Sequence, residues 1–167
     1  MRYLAYLTII LLLSATACTP GYIKEYEKAL VENPETQIAK DRNEILRYAI
    51  DNKIELQRTE SGLFYRFTEA GEGTETPSET SKVTAHYAGR LLSTGKQFDS
   101  SYDRGEPLEF PINRVIKGWQ EMIQLMPRGS KATVYIPSGM AYGSRGAGAD
   151  IPPNAVLVFD IELLDFE

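Results

Sequence analysis

The fold class is decided by residues 114–126, which read RVIKGWQEMIQLM. Apolar side chains recur in this stretch at the three- and four-residue spacing of an α-helix. They are Val115, Trp119, Met122, Ile123 and Met126. The stretch therefore predicts one short helix, in a half of the chain whose other segments have the composition of strands.

Four segments around this helix are rich in β-branched and aromatic residues and are separated by turn residues, a pattern typical of strands. They are residues 63–67, 83–91, 132–136 and 156–164. One helix among several antiparallel strands is an α+β arrangement. Residues 70–81 form a loop rich in Gly, Thr, Glu and Ser. The sequence contains no internal repeat.

A second helix is predicted ahead of the strands. Asn33-Pro34-Glu35 has the cap, first-turn proline and acidic residue of a helix start. One helical face then carries Ile38, Ile45, Leu46, Ala49, Ile50 and Ile54.

 The pattern predicts a single amphipathic helix of about 20 residues. That face packs either on the chain's own domain or on a second copy, as a homodimer through residues 35–56, and the sequence leaves both open.

The first 17 residues have the composition of an export signal. Arg2 precedes an apolar run over residues 4–13, and small residues follow up to Ala17. The run is shorter than the roughly 20 apolar residues that a membrane-spanning helix needs. We therefore expect this segment to be cleaved from the mature protein.

Cys18 is the only cysteine in the chain, and it stands where the signal peptide would be cut. This placement resembles a bacterial lipobox, in which the cysteine is acylated and attaches the protein to a membrane. Ala15 stands where a lipobox usually has leucine. Ordinary secretory cleavage after Ala17 is the alternative reading.

The composition excludes several classes of function. The chain has 167 residues, 43% of them hydrophobic, and a net charge of -5 without a basic cluster, so we expect one globular domain and no nucleic-acid partner. A single histidine, His86, and a single cysteine supply neither a zinc site nor a Cys-His pair. The glycine-rich loop 143–150 lacks the lysine of a phosphate-binding loop. We expect no metal and no cofactor.

Six sequence blocks of the second half occur together in a characteristic order. They are Val83-Thr84-Ala85-His86-Tyr87-Ala88-Gly89, Phe98-Asp99-Ser100-Ser101, Val115-Ile116-Lys117-Gly118-Trp119, Ala141-Tyr142-Gly143, Ile151-Pro152-Pro153-Asn154 and Leu157-Val158-Phe159-Asp160-Ile161-Glu162-Leu163-Leu164. In content, order and spacing they resemble FKBP-type peptidyl-prolyl cis-trans isomerases over about residues 60–167. One block alone would be a weak signal, and the six together are specific.

The resemblance implies a curved antiparallel sheet wrapped around one short helix, here preceded by the N-terminal amphipathic helix. It also implies a pocket for proline. Its catalytic residues would be Tyr87, Phe98, Asp99, Trp119, Tyr142 and Phe159. Its substrate-binding residues would be Leu108, Phe110, Val115, Ile116 and Ile151. Trp119 would form the floor, and the Ile151 N–H and the Tyr142 hydroxyl would donate hydrogen bonds to the substrate backbone.

The family's function would be the isomerisation of X-Pro bonds in exported proteins, and its pocket would also take macrolides. Leu108 stands where family members often carry an aromatic residue, which weakens one wall contact. The alternative is an FKBP-like chaperone or assembly module without turnover, although the retained pocket aromatics favour the enzyme. We expect a signal peptide over 1–17, an attachment site, linker and helix over 18–57, and the isomerase domain over 58–167. The protein would be an anchored lipoprotein facing the periplasm or the cell surface.

Overall fold

The computed structural model describes residues 19–167, so the expected signal peptide and Cys18 lie outside the described residues. The helices are α1 (Gly21–Ala29), α2 (Gln37–Asp51), α3 (Ser101–Arg104) and α4 (Lys117–Ile123). The strands are β1 (Gln57–Arg58), β2 (Phe64–Glu69), β3 (Lys82–Leu91), β4 (Gln97–Ser100), β5 (Leu108–Pro111), β6 (Lys131–Ile136) and β7 (Leu157–Phe166). Short 3-10 turns cover Ile112–Arg114, Ser138–Met140 and Gly143–Arg145. The predicted α+β class is confirmed.

The seven strands found within residues 19–167 form one antiparallel sheet. Their order is β1-β2-β6-β7-β3-β4, and β5 pairs with β3 beside β4. The centre of the sheet is the long pair of β3 and β7, which runs from Val83 opposite Phe166 to Leu91 opposite Leu157. The other edge of β3 is shared, because β5 pairs with its first half and β4 with its second half. This division leaves a gap at the middle of β3 where side chains can line a pocket.

Helix α4 covers one face of the sheet, as the apolar pattern predicted. Trp119, Met122 and Ile123 are buried there. A side chain on Gly118 would place its Cβ 2.5 Å from a methyl carbon of Ile136, so only glycine allows α4 to approach β6 this closely. The helix is shorter than the predicted 114–126, because Val115 is extended and precedes it.

Helices α1 and α2 cover the opposite face of the sheet. Ile45 and Ala49 are fully buried, in a cluster that includes Phe64, Tyr135 and Val158 of strands β2, β6 and β7. The apolar face of α2 therefore packs on the chain's own sheet. Strand β6 is buried over residues 132–136 because helices lie on both of its faces.

Three details of the N-terminal prediction are wrong. The expected linker contains α1, whose two buried residues, Ile23 and Tyr26, are too few for a clear periodic signal. Helix α2 begins after Thr36, whose hydroxyl accepts a hydrogen bond from the Ala39 N–H, so Asn33-Pro34 is not its start. Ile38, in the first turn of α2, was expected on the buried face but is 79% exposed. No helix within residues 19–167 is long and apolar enough to cross a membrane.

Candidate active site

An open pocket of about 430 Å³ lies between the middle of β3, the start of α4 and the loop after β6. Its lining comes from six separate parts of the chain. The lining residues are Tyr87, Phe98, Asp99, Leu108, Arg114, Val115, Ile116, Trp119, Tyr142 and Phe159. Most of these side chains are apolar or aromatic, which is the usual character of a small-ligand site.

The inner end of the pocket is built from aromatic rings that meet edge to face. The Trp119 ring stands at 86° to Tyr87, with centroids 5.0 Å apart, and at 84° to Phe159, with centroids 5.2 Å apart. Phe98 meets Phe159 at 84° and 5.6 Å. Edge-to-face contacts of this kind are worth about 0.5–1.5 kcal/mol beyond the burial of area. The rings therefore hold one another in place and form rigid apolar walls.

Gly89 makes this ring arrangement possible. It lies on β3 next to the contact between Phe98 and Phe159. A Cβ at this position would be 2.6 Å from a ring carbon of Phe159 and 2.8 Å from one of Phe98. Both distances are shorter than any normal carbon contact, so the absence of a side chain at Gly89 allows the two rings to touch.

One wall of the pocket carries a hydrogen-bonded polar group. The Tyr87 hydroxyl donates to Asp99, and the Arg104 guanidinium donates to both Asp99 and the Tyr87 oxygen, the latter at 2.8 Å. Arg104 also lies over the Tyr87 ring, 5.4 Å from its centroid. Three side chains from β3, β4 and α3 are thus fixed together at the pocket wall.

These contacts determine the charges at the wall. Burial by itself would raise the pKa of Asp99, but the hydrogen bonds from Tyr87 and Arg104 outweigh it and lower the pKa. Burial, together with the hydrogen bond to Asp99, raises the pKa of the Tyr87 hydroxyl. At neutral pH Asp99 is therefore a carboxylate, and Tyr87 is a neutral donor bound to it.

The rim of the pocket offers two hydrogen-bond donors. Tyr142 is 41% exposed, and its hydroxyl has no hydrogen-bond partner among residues 19–167. Ile116 precedes the first turn of α4, and its N–H is likewise unpaired within the described chain. The Ile151 N–H, expected to face substrate, instead donates to the Ala147 carbonyl at 3.1 Å. That expectation is wrong for this structure, because the loop 147–151 closes on itself.

The structure brings nine of the eleven predicted site residues to the pocket lining. The other two are Phe110, which packs against Trp119 at a centroid distance of 5.4 Å, and Ile151, which is buried in the core. Sequence reasoning missed Arg104 and Arg114. Arg104 lies five residues after Asp99, outside the quoted blocks, and only the turn of α3 reveals that it reaches Asp99. Within the described chain, no group of three or more His, Cys, Asp or Glu residues could hold a metal ion.

An antiparallel sheet with the short helix α4 packed on one face, and an aromatic pocket beside that helix, define a small α+β domain that can enclose an apolar ring. The family model for the FKBP-type peptidyl-prolyl cis-trans isomerase matches residues 73–164. The chain belongs to this family.

Similar proteins agree with this assignment. The chain is 48% identical over 145 residues to the FKBP-type isomerase FkpA of Aeromonas hydrophila, covering 87% of this chain and 53% of that protein. It is 51% identical over 122 residues to the FKBP-type 22 kDa isomerase of Escherichia coli, covering 72% of this chain and 58% of that protein. The crystal structure of FkpA from Escherichia coli matches with a TM-score of 0.69 at 39% identity, covering 86% of this chain and 63% of that chain. The chain thus spans little more than half the length of these two curated relatives.

Proposed function

We propose that this protein is a peptidyl-prolyl cis-trans isomerase that acts on X-Pro bonds of polypeptides. The observation that carries the proposal is the pocket itself, in which perpendicular aromatic rings enclose an apolar space and hydrogen-bond donors stand at the rim. A proline ring fits the apolar space, and the adjoining carbonyl groups of the substrate reach the donors.

The reaction needs no covalent chemistry from the protein. Rotation about a peptide bond has a barrier of about 18–20 kcal/mol, because the resonance of the planar amide is lost. The twisted amide is less dipolar than the planar one, so removal from water penalises the planar ground states more than the transition state. Only such a difference in stabilisation accelerates the step. The apolar rings around Trp119 supply the water-poor surroundings.

The rim donors orient the substrate backbone during rotation. We assign this role to the Tyr142 hydroxyl and, in place of the Ile151 N–H, to the Ile116 N–H. Neither of these donors has another partner within residues 19–167, whereas the Ile151 N–H is bound to Ala147. Each tenfold acceleration requires only about 1.4 kcal/mol of preferential stabilisation. A few hydrogen bonds of ordinary strength are therefore sufficient.

The test follows cis-trans isomerisation of short X-Pro peptides with the parent, Phe98→Ala and Asp99→Val. Acceleration by the parent that is lost in both folded variants supports the proposal. A well-folded parent that accelerates no peptide, whichever residue precedes proline, contradicts it and favours the non-catalytic chaperone or assembly module. Fluorescence of Trp119, the only tryptophan in the chain, then shows whether the pocket still binds proline peptides.

We further propose that the substrates are proteins exported from the cytoplasm. The support is the signal-like composition of residues 1–17 and the position of Cys18 directly after them. On this reading Cys18 is acylated and anchors the protein, residues 18–57 form the attachment segment and helical layer, and residues 58–167 form the isomerase domain. Several acyl chains are needed for stable anchoring, since one chain binds a membrane only reversibly.

Two binding partners complete the proposal. Macrolides are proposed as pocket ligands. A macrolide should displace a bound proline peptide from the pocket, and the displacement should be measurable as a change in Trp119 fluorescence. A homodimer through residues 35–56 is proposed with Ile38 as its apolar contact, because Ile38 remains exposed on α2. Sedimentation of the parent and Ile38→Asp decides this point, and a monomeric parent contradicts the dimer.

A further inference from the structure

Asp41 joins the N-terminal helices to the loop that follows β6. Asp41 is only 2% exposed. One carboxylate oxygen accepts hydrogen bonds from the Ser138 N–H at 2.7 Å and from the Ser138 hydroxyl at 2.6 Å, and the partners are 97 positions apart in the chain. The other oxygen accepts from the Gln37 side chain. A buried carboxylate is costly unless it is fully bonded, so this contact fixes both partners closely.

Ser138 determines how the chain reaches the pocket rim. It begins the 3-10 turn Ser138–Met140, and its carbonyl accepts a hydrogen bond from the Ala141 N–H at 3.0 Å. The next residue is Tyr142. Because no hydrogen bond within the described chain holds the Tyr142 hydroxyl, the position of that hydroxyl depends on the backbone that precedes it.

We propose that Asp41 is a positioning residue for Tyr142. The α2 helix lines no part of the pocket, yet Asp41 holds the turn that places the Tyr142 hydroxyl at the substrate carbonyl. On this account, the N-terminal helices contribute to the active site by fixing the position of Tyr142. The inference rests on the proposed isomerase function and extends it to a residue that none of the six family blocks contains.

A double-mutant cycle tests the proposal in the full protein. Asp41→Ala should lower kcat/KM about tenfold when Tyr142 is present, because small misplacements of a positioned group have effects of this size or larger. In the Tyr142→Phe background the same change should have no further effect on kcat/KM. Residues that act as a unit show this non-additivity, whereas independent sites add. Ser138→Ala removes one of the two hydrogen bonds and should show a smaller loss of the same kind.

Asn43 provides the matched control. It lies on the same helix and is also 2% exposed. Its side-chain oxygen accepts a hydrogen bond from the Val31 N–H at 3.0 Å, and its side-chain amide donates one to the Val31 carbonyl at 2.7 Å. Its partner is the connection between α1 and α2, away from the pocket. Asn43→Ala should therefore lower Tm about as much as Asp41→Ala and leave kcat/KM within about twofold of the parent.

Several results would overturn the inference. Equal losses from Asp41→Ala with and without the Tyr142 hydroxyl, or an equal loss from Asn43→Ala, would make Asp41 a purely structural residue. Hydrogen exchange at residues 138–145 is measured in parallel, and unchanged protection in Asp41→Ala overturns the inference whatever the activity. If the parent itself shows no acceleration, the proposed function fails, and the same cycle is measured on proline-peptide affinity through Trp119 fluorescence. Additive effects on affinity would then overturn the inference separately.

Discussion

Gly89→Ala tests whether the pocket depends on the direct contact between Phe98 and Phe159. The added Cβ would lie 2.6 Å from Phe159 and 2.8 Å from Phe98, whereas ordinary contacts begin at 3.4 Å. Both rings must shift to relieve these contacts, which is costly for Phe159, because it is 4% exposed and packed against Trp119, and easier for Phe98, which is only half-buried. Overpacking of this kind costs about 1–3 kcal/mol. We expect Tm to fall by about 3–9 °C.

The displacement should also reduce activity, because Phe98 moves at the pocket wall. We expect kcat/KM for an X-Pro peptide to fall at least about tenfold, which corresponds to about 1.4 kcal/mol of lost transition-state stabilisation. Thermal unfolding followed by circular dichroism and a peptide isomerisation assay measure the two effects. The control is Gly21→Ala, where no atom lies within 4 Å of the new Cβ and no loss of either quantity is expected.

The outcomes separate two parts of the argument. Parent-like Tm and parent-like kcat/KM in Gly89→Ala would refute the ring positions. A lower Tm with unchanged kcat/KM would leave the packing correct but would remove the Phe98 wall from substrate contact. The expected result, a loss of both, supports the pocket as a rigid apolar slot.

The remaining predictions concern charge and attachment. The pKa of Asp99 is lowered in the folded protein, so Asp99 contributes stability that is complete above its ordinary pKa, near pH 4, and is lost as the pH falls through the lowered value. The difference in urea unfolding midpoint between the parent and Asp99→Asn should be constant above about pH 5 and should shrink below about pH 4. A difference that does not change with pH would contradict an ionised Asp99 at the pocket wall. Cys18→Ala should move the protein from the membrane fraction to the soluble fraction of its native host, and an unchanged distribution would contradict lipid anchoring.

The sequence predicted the parts of the fold that leave a local signal. Strands β3 and β7 were predicted within one or two residues, because each has a run of β-branched and aromatic residues bounded by turns. The four-residue strands β4 and β5 were not predicted as strands, since their pairing with β3 depends on where the chain turns. Helix α1 was missed for a related reason, because it is stabilised by tertiary contacts. The Tyr26 hydroxyl, for example, binds both backbone groups of Leu56.

Only residues covered by the family resemblance could be predicted as parts of the site. The resemblance identified nine residues that line the pocket, eight of them inside the six blocks and the ninth, Leu108, outside them. The role of Arg104 depends on the angle of a one-turn helix, and the role of Gly89 on two rings that meet above it. Neither relation is visible in a linear pattern. The Ile151 N–H was misassigned because its partner is set by the closure of a loop, which side-chain types do not specify.

The two layers of helices are coupled through the strand that carries the pocket wall. Successive side chains of a strand point to opposite faces of the sheet. On β7, Val158 packs with Ala49 and Tyr135 in the outer cluster, and the next residue, Phe159, packs with Trp119 in the pocket. A change in how α2 packs on the sheet therefore acts on the same backbone segment that positions Phe159. Together with the contact from Asp41 to Ser138, this gives the N-terminal helices two separate physical connections to the site, one through β7 and one through the loop that carries Tyr142.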